Sequence, residues 1–370
     1  MTHAAITGWG KCMPPAVLSN ADLGTFMETD DAWITSRTGI RERRVSHVPV
    51  TSLAHVAAAR ALACAGLDAA DLDLVVLGSC SYDEQVPNSA SGVQALLGAG
   101  NAAAMDVNTA CTSFLYGLSC ANAMIRTGVV RNAVVIGVEV ISPFMDWNNR
   151  NVAVLFGDGA AAVVLQASEE RTGLLAEKLG CYADARHILR VRGMGAAYAN
   201  RGIPVGITAW DFDGQEIFKR AVHGMTEASR VALERAGLAI GDIDLVVPHQ
   251  ANLRIIEFVG KRIGADRERV FLTVERYGNM SAATVPVALV EAIEAGRVKP
   301  GARVLMPAFG GGLTYCAHAI QWGERSTPKR ECTVDLPPCD KSALEMVREI
   351  MALKADAGEA AGRLDAPLVA

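Results

Sequence analysis

The chain has 370 residues, of which 51% are hydrophobic and only 5% aromatic, and its formal net charge is −5. This composition excludes a disordered chain, and the charge excludes a global basic field that would attract nucleic acid. The nine cysteines include no CxxC pair, and no apolar run is long enough to cross a bilayer. The first residues lack the charged start and long apolar core of a signal peptide. We therefore expect a cytoplasmic protein with free thiols and no metal site.

Short apolar, β-branched runs alternate along the chain with alanine-rich stretches of helical pattern. Such alternation predicts a layered α/β fold. The expected strands lie within 71–79, 131–140, 152–166, 244–250 and 301–312, and the expected helices within 51–66, 112–127, 215–237 and 281–296.

Two stretches of the first half recur in the second half. Residues 57–76 match 228–247 without a gap at an offset of 171, and residues 117–137 match 287–307 at an offset of 170. A duplicated α/β unit is the simplest explanation, with ligand chemistry where the halves join. The alternative is two βαβ units that share only generic patterning. The duplication predicts three segments, which are 1–170, 171–323 and an extension at 324–370.

Three reactive residue types fall at corresponding loop ends. Cys111 precedes an apolar helical run, and the offset of 170 takes it to Ser281, beside Asn279. His249 follows the strand that corresponds to 74–78. Because ligands of open α/β sheets bind at the carboxyl ends of strands, we expect these residues to converge. At a helix N-terminus the amide dipoles favour a thiolate and lower its pKa, which suits acyl transfer between thioesters.

Each of these residues also has a structural explanation. Cys111 fits an inert buried thiol, His249 fits a ring that satisfies a backbone carbonyl, and Asn279 fits a left-handed turn after a glycine. Their joint placement is what favours catalysis. The glycines at 310–312 fit either an oxyanion hole or a flexible turn, and those at 157–159 predict a hairpin turn.

Four motifs together resemble the β-ketoacyl-acyl carrier protein synthase III family. They are TAC-x-x-F-x-YGL around Cys111, PHQANLRI at 248–255, GN-x-SAA-x-VP at 278–286 and AFGGG at 308–312. The resemblance covers about residues 4–322 and implies a thiolase-like, five-layered αβαβα fold built from two duplicated halves. It also implies an acyltransferase that initiates fatty-acid synthesis. An acyl-CoA primer would load the cysteine, and malonyl-acyl carrier protein would lose carbon dioxide and attack the acyl group.

The resemblance assigns roles to further residues. His249 and Asn279 would stabilise the enolate, and the amides of Cys111 and Gly311 would hold the oxyanion. It implies a homodimer and no metal or redox cofactor. Without the resemblance, a surface tryptophan and solvated charges would explain most of the remaining residues. The implied CoA contacts are Trp33, Arg37, Thr38, Arg150 and Asn252, the acyl pocket is formed by Val86 and Phe309, and the carrier protein would dock on Lys219, Arg220, Arg254, Lys261 and Arg262.

The chain departs from the family pattern at several positions. Thr112 and Ser113 replace the usual Ala-Gly after the nucleophile, and Gln215 replaces a frequent Asn. Val86 replaces a bulky aromatic in the loop that reaches the acyl pocket of the partner subunit, and segment 180–205 matches poorly. A small residue at position 86 would lengthen that pocket. The alternative function is therefore a specialised relative that condenses a longer or β-keto acyl chain.

Other readings from related classes fit less well. A degradative thiolase would need a second cysteine before its last glycine run, and a chalcone-type synthase lacks this N-terminal segment. A non-catalytic partner subunit would have lost the nucleophile. In the extension, 338–354 predicts an amphipathic helix that packs on its own domain and is capped by Asp340 or Ser342. Its expected apolar face is Leu344, Val347, Ile350 and Leu353, and residues 355–370 are expected to fray.

Overall fold

The structure is a computed structural model that describes residues 2–198 and 206–356. The segment 180–205 thus falls partly outside the described residues, as do most of the final residues expected to fray. The strands are β1 (His3–Cys12), β2 (Ala16–Ser19), β3 (Glu42–Val45), β4 (Leu74–Gly78), β5 (Ala103–Val107), β6 (Asn132–Glu139), β7 (Gly159–Ser168), β8 (Gly173–Cys181), β9 (Leu189–Arg192), β10 (Ala209–Phe212), β11 (Leu245–Val246), β12 (Arg303–Gly310) and β13 (Thr314–Gln321).

The α-helices fall close to the stretches of helical pattern. They are α1 (Asn20–Leu23), α2 (Asp31–Thr38), α3 (Val50–Ala65), α4 (Ser89–Leu97), α5 (Ser113–Arg126), α6 (Arg150–Ala153), α7 (Gly214–Ala236), α8 (Leu253–Ile263), α9 (Val274–Tyr277), α10 (Thr284–Glu294) and α11 (Ala343–Asp356). Among the described residues, none of these helices is both long and apolar enough to cross a membrane.

The strands form two large sheets with the same topology. One has the order β1-β7-β6-β4-β5, and the other has the order β8-β13-β12-β11. In each, a parallel pair, β4 with β6 or β11 with β12, is followed by two antiparallel strands. In the second sheet, the partner that corresponds to β5 is reduced to a single bridge between Val246 and Val270. The predicted boundary at residue 170 lies between β7 and β8, which belong to different sheets.

The strand pairing shows that the offset between the halves is 171 throughout. Leu74 pairs with Ala133 in the first sheet, and Leu245 pairs with Val304 in the second. The offset of 170 for the second matched stretch is therefore wrong by one residue. Apolar helical sequence tolerates such a slip, whereas a slip in a strand would turn every side chain to the other face.

Five layers result because the strand residues alternate between two apolar environments. In β4, Leu74 and Val76 face α5 and α10, which lie between the sheets, while Val75 and Leu77 face α3. α4 joins α3 on that outer face, and α7, with α8 against it, covers the outer face of the second sheet. Strands buried on both faces explain why the sequence shows continuous apolar runs.

The C-terminal extension runs back across the first half. Its backbone amides at Lys329 and Arg330 donate to the carbonyls of Cys64 and Ala63 at the end of α3, over 3.0 and 3.1 Å. α11 then packs on β2, β3 and the turn Ser142–Phe144. The prediction that this helix packs on its own domain is therefore correct.

The cap of α11 is as predicted, and so is its apolar face except at Leu353. Ser342 and Glu345 form reciprocal bonds, with the Glu345 amide donating to the Ser342 hydroxyl over 3.2 Å. The buried residues are Ala343, Met346 and Val347, whereas Leu353 is 72% exposed. Leu344 and Ile350 are partly buried against the same cluster, so the prediction of the apolar face is wrong only at Leu353.

Candidate active site

Cys111 lies in a tight 3-10 turn, Ala110–Thr112, that leads into α5. Ala110 adopts a left-handed conformation with a φ of 52°. The end of β12 comes so close that a Cβ at Gly310 would lie 2.8 Å from the Cys111 nitrogen. Only glycine permits this approach, which brings the 310–312 loop beside the sulfur. The nucleophile turn and the glycine run therefore form one structural unit.

The two residues after the nucleophile, which differ from the family's usual Ala-Gly, stabilise this turn. The Ser113 hydroxyl donates to the Ala110 carbonyl over 2.6 Å and accepts the Thr109 amide over 2.9 Å. The Thr112 hydroxyl lies 2.8 Å from that of Thr314 on β13. The substituted pair thus fixes the turn by side-chain hydrogen bonds and ties it to the second half.

The predicted lowering of the thiol pKa is wrong. Burial raises the pKa of Cys111 to about 11, and the negative charge of Glu139 adds to the effect. A hydrogen bond from Ser281 and the amides of Cys111 and Gly311 act in the opposite direction and do not compensate. The loss of water around the buried sulfur raises the pKa by more than these donors at the helix start lower it. These same two amides are the expected oxyanion donors, and both reach the sulfur.

Asn279 lies in the turn that corresponds to the nucleophile turn. With the offset of 171, Ser281 matches Ala110, and it too is left-handed with a φ of 45°. The Asn279 side-chain oxygen accepts the Ser281 amide over 2.8 Å. This bond leaves the amide nitrogen of the side chain free to donate into the site.

The glycine pair at 157–159 holds the Asn279 turn and does not form the predicted hairpin. The Asn279 amide donates to the Leu155 carbonyl over 2.8 Å, and the Gly157 amide donates to the Asn279 carbonyl over 3.1 Å. The buried Asp158 carboxylate accepts the amides of Ile141 and Ser142. Residues 155–158 of the first half therefore hold the Asn279 turn of the second half by hydrogen bonds.

His249 follows β11 and is buried, as the strand correspondence predicts. Its amide donates to the Pro307 carbonyl over 2.9 Å, and its Nδ1 lies 2.6 Å from the Thr284 hydroxyl. Burial lowers the pKa of His249 to about 3, so the ring is neutral at physiological pH. A neutral imidazole anchored at Nδ1 presents Nε2 to the site.

One cavity of about 2010 Å³ brings the predicted residues together. Cys111, His249, Asn279 and Gly311 lie on its wall, as does Phe309, which is 4% exposed. Further predicted residues on the wall are Trp33, Arg37, Thr38, Arg150, Asn252, Lys219 and Arg254. The wall also includes Gln215 and residues 187–191 of the poorly matched segment.

The predicted CoA contacts cluster at one end of this cavity. The guanidinium carbons of Arg37 and Arg150 lie 4.4 and 5.0 Å from the Trp33 ring centre. Both are already at cation–π distance, so a purine enters between Trp33 and Arg150 only if one side chain moves. Thr38 donates to the Ile34 carbonyl, and Asn252 caps α8 and donates to the Arg37 carbonyl. The last two residues thus position the cluster.

The predicted docking residues lie on α7 and α8, and only two of them line the cavity. Lys219 and Arg254 line the cavity, and Arg254 also donates to the Ser36 carbonyl over 2.8 Å. Arg220 pairs with Asp184 and Glu216. Lys261 and Arg262 are exposed at the far end of α8. On the same two helices, the rings of Phe218 and Phe258 pack edge to face with their centres 5.4 Å apart.

Of the two residues predicted to form the acyl pocket, Phe309 lines this cavity and Val86 does not. It is 83% exposed at the tip of the loop before α4. Its assignment to an acyl pocket therefore requires a second copy of the chain.

The sequence analysis did not predict the roles of three residues near the nucleophile. They are Glu139, Ser281 as a hydrogen-bond donor, and Thr284. Glu139 carried a detectable signal, because it is a carboxylate at the carboxyl end of an otherwise apolar strand. The two hydroxyls carried none, because serine and threonine are common at helix starts.

Comparison with protein families and known proteins identifies relatives of the chain. Residues 105–183 match the family model described as 3-oxoacyl-[acyl-carrier-protein (ACP)] synthase III, and residues 233–322 match the model of its C terminal part. The chain is 47% identical over 323 residues to beta-ketoacyl-[acyl-carrier-protein] synthase III of Roseiflexus castenholzii, covering 86% of this chain and 98% of that one. The crystal structure of 3-oxoacyl-[acyl-carrier-protein] synthase III from Aquifex aeolicus matches with a TM-score of 0.81 and 40% identity, covering 86% of this chain and 100% of that one.

The match to beta-ketoacyl-[acyl-carrier-protein] synthase III 2 of Vibrio cholerae is longer. It shows 50% identity over 345 residues, covering 93% of this chain and 95% of the relative, and so includes part of the extension. The layers and these matches confirm the predicted thiolase-like fold. With half of the aligned residues identical across almost the whole of that relative, the chain belongs to the 3-oxoacyl-[acyl-carrier-protein] synthase III family.

Proposed function

We propose that this enzyme condenses an acyl-CoA primer with malonyl-acyl carrier protein and releases a β-ketoacyl-carrier product that starts a fatty acid. One observation supports this most directly. A buried thiol, two backbone amides that reach its sulfur, a neutral imidazole and a side-chain amide all line one cavity. The two half-reactions need this set of groups.

In the first half-reaction, Cys111 attacks the thioester carbonyl of the primer. The amides of Cys111 and Gly311 are the donors for the negative charge that develops on the carbonyl oxygen. The C–S bond to CoA then breaks, CoA leaves as a thiol, and the acyl group remains on Cys111. The fixed turn matters here because such donors act through preorganisation.

In the second half-reaction, malonyl-acyl carrier protein loses carbon dioxide next to the acyl-cysteine. The thioester oxygen of the malonyl group gains charge as the C–C bond breaks. Asn279 donates from its side-chain amide, and His249 donates from Nε2 when its Nδ1 accepts from Thr284. Both contacts gain strength only as the enolate forms, which is how binding energy lowers a barrier. The carbanion then attacks the acyl carbon, the bond from that carbon to the Cys111 sulfur breaks, and the β-ketoacyl-carrier product leaves while the thiol takes up a proton.

The cavity wall offers each substrate a suitable surface. Trp33, Arg37 and Arg150 can stack on and neutralise the nucleotide end of CoA. Two helices, α7 and α8, carry the Phe218–Phe258 pair and also Lys219, Arg254, Lys261 and Arg262, which suits an acidic carrier protein with an apolar contact. The thiol and the hydrogen-bond donors supply both half-reactions, and we propose that no cofactor beyond the CoA substrate takes part. These substrates belong to the cytoplasm, where we place the reaction.

We further propose that the enzyme works as a homodimer. β5 is the edge of its sheet, and Val86 and Leu96 nearby are 83% and 53% exposed. An unpaired edge with apolar neighbours suits pairing with a second copy. That arrangement would place Val86 at the partner's acyl pocket.

A second candidate is condensation of a longer or β-keto primer. The observation in its favour is the small Val86 at the tip of that loop. The priming β-ketosynthase of the R1128 polyketide biosynthetic pathway matches with a TM-score of 0.82 and 32% identity, covering 87% of this chain and 97% of that one. Its printed role differs from that of the relatives above, so the primer must be determined by experiment.

Labelled acyl-CoAs of increasing chain length test these proposals. We expect wild type and the Cys120→Ala control, which loses an exposed thiol, to bind one acyl group, and Cys111→Ala to bind none. Adding malonyl-acyl carrier protein should then release a β-ketoacyl product. His249→Ala and Asn279→Ala should each slow this second step by about 10²–10³-fold while Cys111 still loads.

Acyl labelling of Cys111→Ala at the wild-type level would refute the role of Cys111. Loading without release would refute the condensation. A preference for long or β-keto primers over acetyl-CoA would favour the second candidate.

A further inference from the structure

A buried carboxylate at the end of β6 has no role in the two half-reactions above. Glu139 has 0% exposure, and in the described part of the chain it forms no ion pair. Its Oε2 accepts the hydroxyls of Ser79 and Ser81 over 3.1 and 2.5 Å, and its Oε1 accepts the amide and the thiol of Cys80 over 3.2 and 3.3 Å. Because a buried charge is costly, a carboxylate bound by so many donors usually has a task.

One further bond of this carboxylate crosses to the second half. Its Oε1 accepts the amide of Ala282 over 3.3 Å, and Ala282 belongs to the turn that holds Asn279. β6 approaches this turn closely, since a Cβ at Gly137 would lie 2.5 Å from the Ala282 carbonyl oxygen. The preceding amide, that of Ser281, donates to the Asn279 side-chain oxygen over 2.8 Å. Two successive amides of one turn thus bind Glu139 and Asn279, so a movement of the turn away from Glu139 would also reorient the Asn279 side chain.

The equivalent position in the other half carries no side chain. The offset of 171 takes Glu139 to Gly310 and Ala282 to Cys111. At Gly310 a Cβ would lie 2.8 Å from the Cys111 nitrogen, so no side chain fits between β12 and the nucleophile turn. At Glu139 a side chain is present, and its carboxylate binds the corresponding amide. One half therefore leaves the turn amide beside bare glycine backbone, and the other half binds it to a fixed anion.

We propose that Glu139 is a positioning residue, which fixes the Asn279 turn through the Ala282 amide and so sets the direction from which the Asn279 side chain donates to the malonyl thioester oxygen. Because the Ala282 amide is bound to the carboxylate, it does not compete for that oxygen. The side chain of Asn279 then acts as the donor of this turn. The effect on decarboxylation rests on the proposed function, whereas the hold on the turn does not.

Shortening the carboxylate side chain by one methylene tests this role. Glu139→Asp keeps the charge but no longer reaches the Ala282 amide. We expect it to slow decarboxylation about 10–100-fold, because a misplacement of about 1 Å can cost about 10²-fold. Loading of Cys111 should change little. Glu139→Gln keeps the length and one acceptor oxygen, so it should retain most of the decarboxylation rate. Labelled carbon dioxide released from malonyl-acyl carrier protein by acylated enzyme measures decarboxylation, and labelled acyl-CoA measures loading.

A double variant determines whether Glu139 acts through Asn279. If it does, Glu139→Asp should slow decarboxylation no further in an enzyme that already carries Asn279→Ala. Multiplied losses in the double variant, or equal losses in loading and decarboxylation, would overturn the proposal, as would a wild-type rate in Glu139→Asp. Glu291→Asp is the matched control, because it shortens a mostly buried glutamate on α10 that pairs with Lys11, and it should keep both rates.

Hydrogen exchange provides a readout that needs no substrate. The amides of a peptide that spans residues 280–285 should exchange faster in Glu139→Asp than in wild type or Glu139→Gln, because the turn opens more often. Equal exchange in all three would overturn the hold on the turn. Wild type that shows this protection but releases no carbon dioxide would refute the proposed function and leave the hold standing.

Thermal melts check that each variant is folded. If Glu139→Asp is not, Ser81→Ala carries the same tests, because it removes the shortest bond to the carboxylate. We then expect slower decarboxylation and faster exchange in Ser81→Ala, and wild-type values of both would overturn the proposal.

Discussion

The position of the Cys111 nucleophile could be predicted from the sequence, but the pKa of its thiol could not. The spacing of Cys111, His249 and Asn279 relative to the repeated strands predicts that they meet, and the cavity contains all three. The pKa of the thiol depends instead on how much water remains around it. Many residues from both halves set that quantity, and no local pattern reports it.

The tautomer of His249 is also set by a neighbour that the sequence does not reveal. The Thr284 hydroxyl has one proton and two acceptors, the Ser281 carbonyl at 3.0 Å and His249 Nδ1 at 2.6 Å. When it donates to Nδ1, the ring hydrogen lies on Nε2 and faces the site. The shorter contact favours this arrangement, which the decarboxylation requires.

We expect Thr284→Val to slow decarboxylation about tenfold or more, since a general acid–base or donor contact contributes at least this much. Loading of Cys111 should change little, and Thr284→Ser should restore the rate. Single-turnover assays of each half-reaction measure the effect. Equal losses in both half-reactions, with no rescue by serine, would show a structural role instead.

The pH dependence should distinguish His249 from the other groups. Its lowered pKa of about 3 keeps the ring neutral between pH 5 and 8, so an acid limb in that range belongs to another residue.

At the scale of elements, helices with strong periodicity were predicted to within about two residues, as for α3, α5 and α7. The apolar face of α11 was predicted at Leu344, Val347 and Ile350 but not at its end, where Leu353 is exposed. Its sequence offers apolar residues on more than one side, and the path of residues 323–342 decides which side meets β2 and β3. The result buries Met346 and Val347 and leaves Leu353 in water.

The same path brings Lys354 into a poorly hydrated position. Its ammonium donates to the Met145 carbonyl over 2.8 Å, and burial lowers its pKa to about 8. Because the folded-state pKa is below the ordinary value of 10.5, the folded chain releases this proton first. The contribution of Lys354 to stability therefore improves as pH rises from about 8 to 10.5.

We expect Lys354→Met to have a higher thermal midpoint than wild type at pH 7, because it removes a charge from a buried position. The difference should shrink by pH 10, where the wild-type amine is neutral in the folded state. Thermal melts at both pH values measure it, with Lys341→Met, at an exposed ion pair with Glu349, as control. A lower midpoint at pH 7 would mean that the bond to Met145 outweighs the burial cost.

For the molecule as a whole, the repeated halves were visible in the sequence and the course of the extension was not. A repeat can be recognised in the sequence because matching residues recur at a constant spacing. The extension attaches by backbone bonds to the end of α3 and by an apolar helix face, neither of which specifies a partner in sequence. Its contact with Ser142–Phe144 links the C-terminus to the cavity wall, because Phe144 lies on that wall.

We expect removal of residues 324–370 to destabilise the enzyme, since Met346 and Val347 alone each contribute about 1.5–3 kcal/mol by burial. The midpoint of urea unfolding should fall, and the KM for acyl-CoA should rise because the Ser142–Phe144 turn loses its support. A chain that ends at residue 356 keeps α11 and is the control. An unchanged midpoint and KM would show that the extension contributes to neither property.

The two left-handed turns, at Ala110 and Ser281, have a consequence for how this site can vary. Their backbones correspond, yet one precedes the cysteine and the other holds the serine and asparagine. In an assembly of two identical half-length chains, a change in one turn would appear in both. Joining the copies in a single chain removes that restriction. The turn beside the nucleophilic cysteine and the turn that holds the asparagine and serine can then change independently of each other.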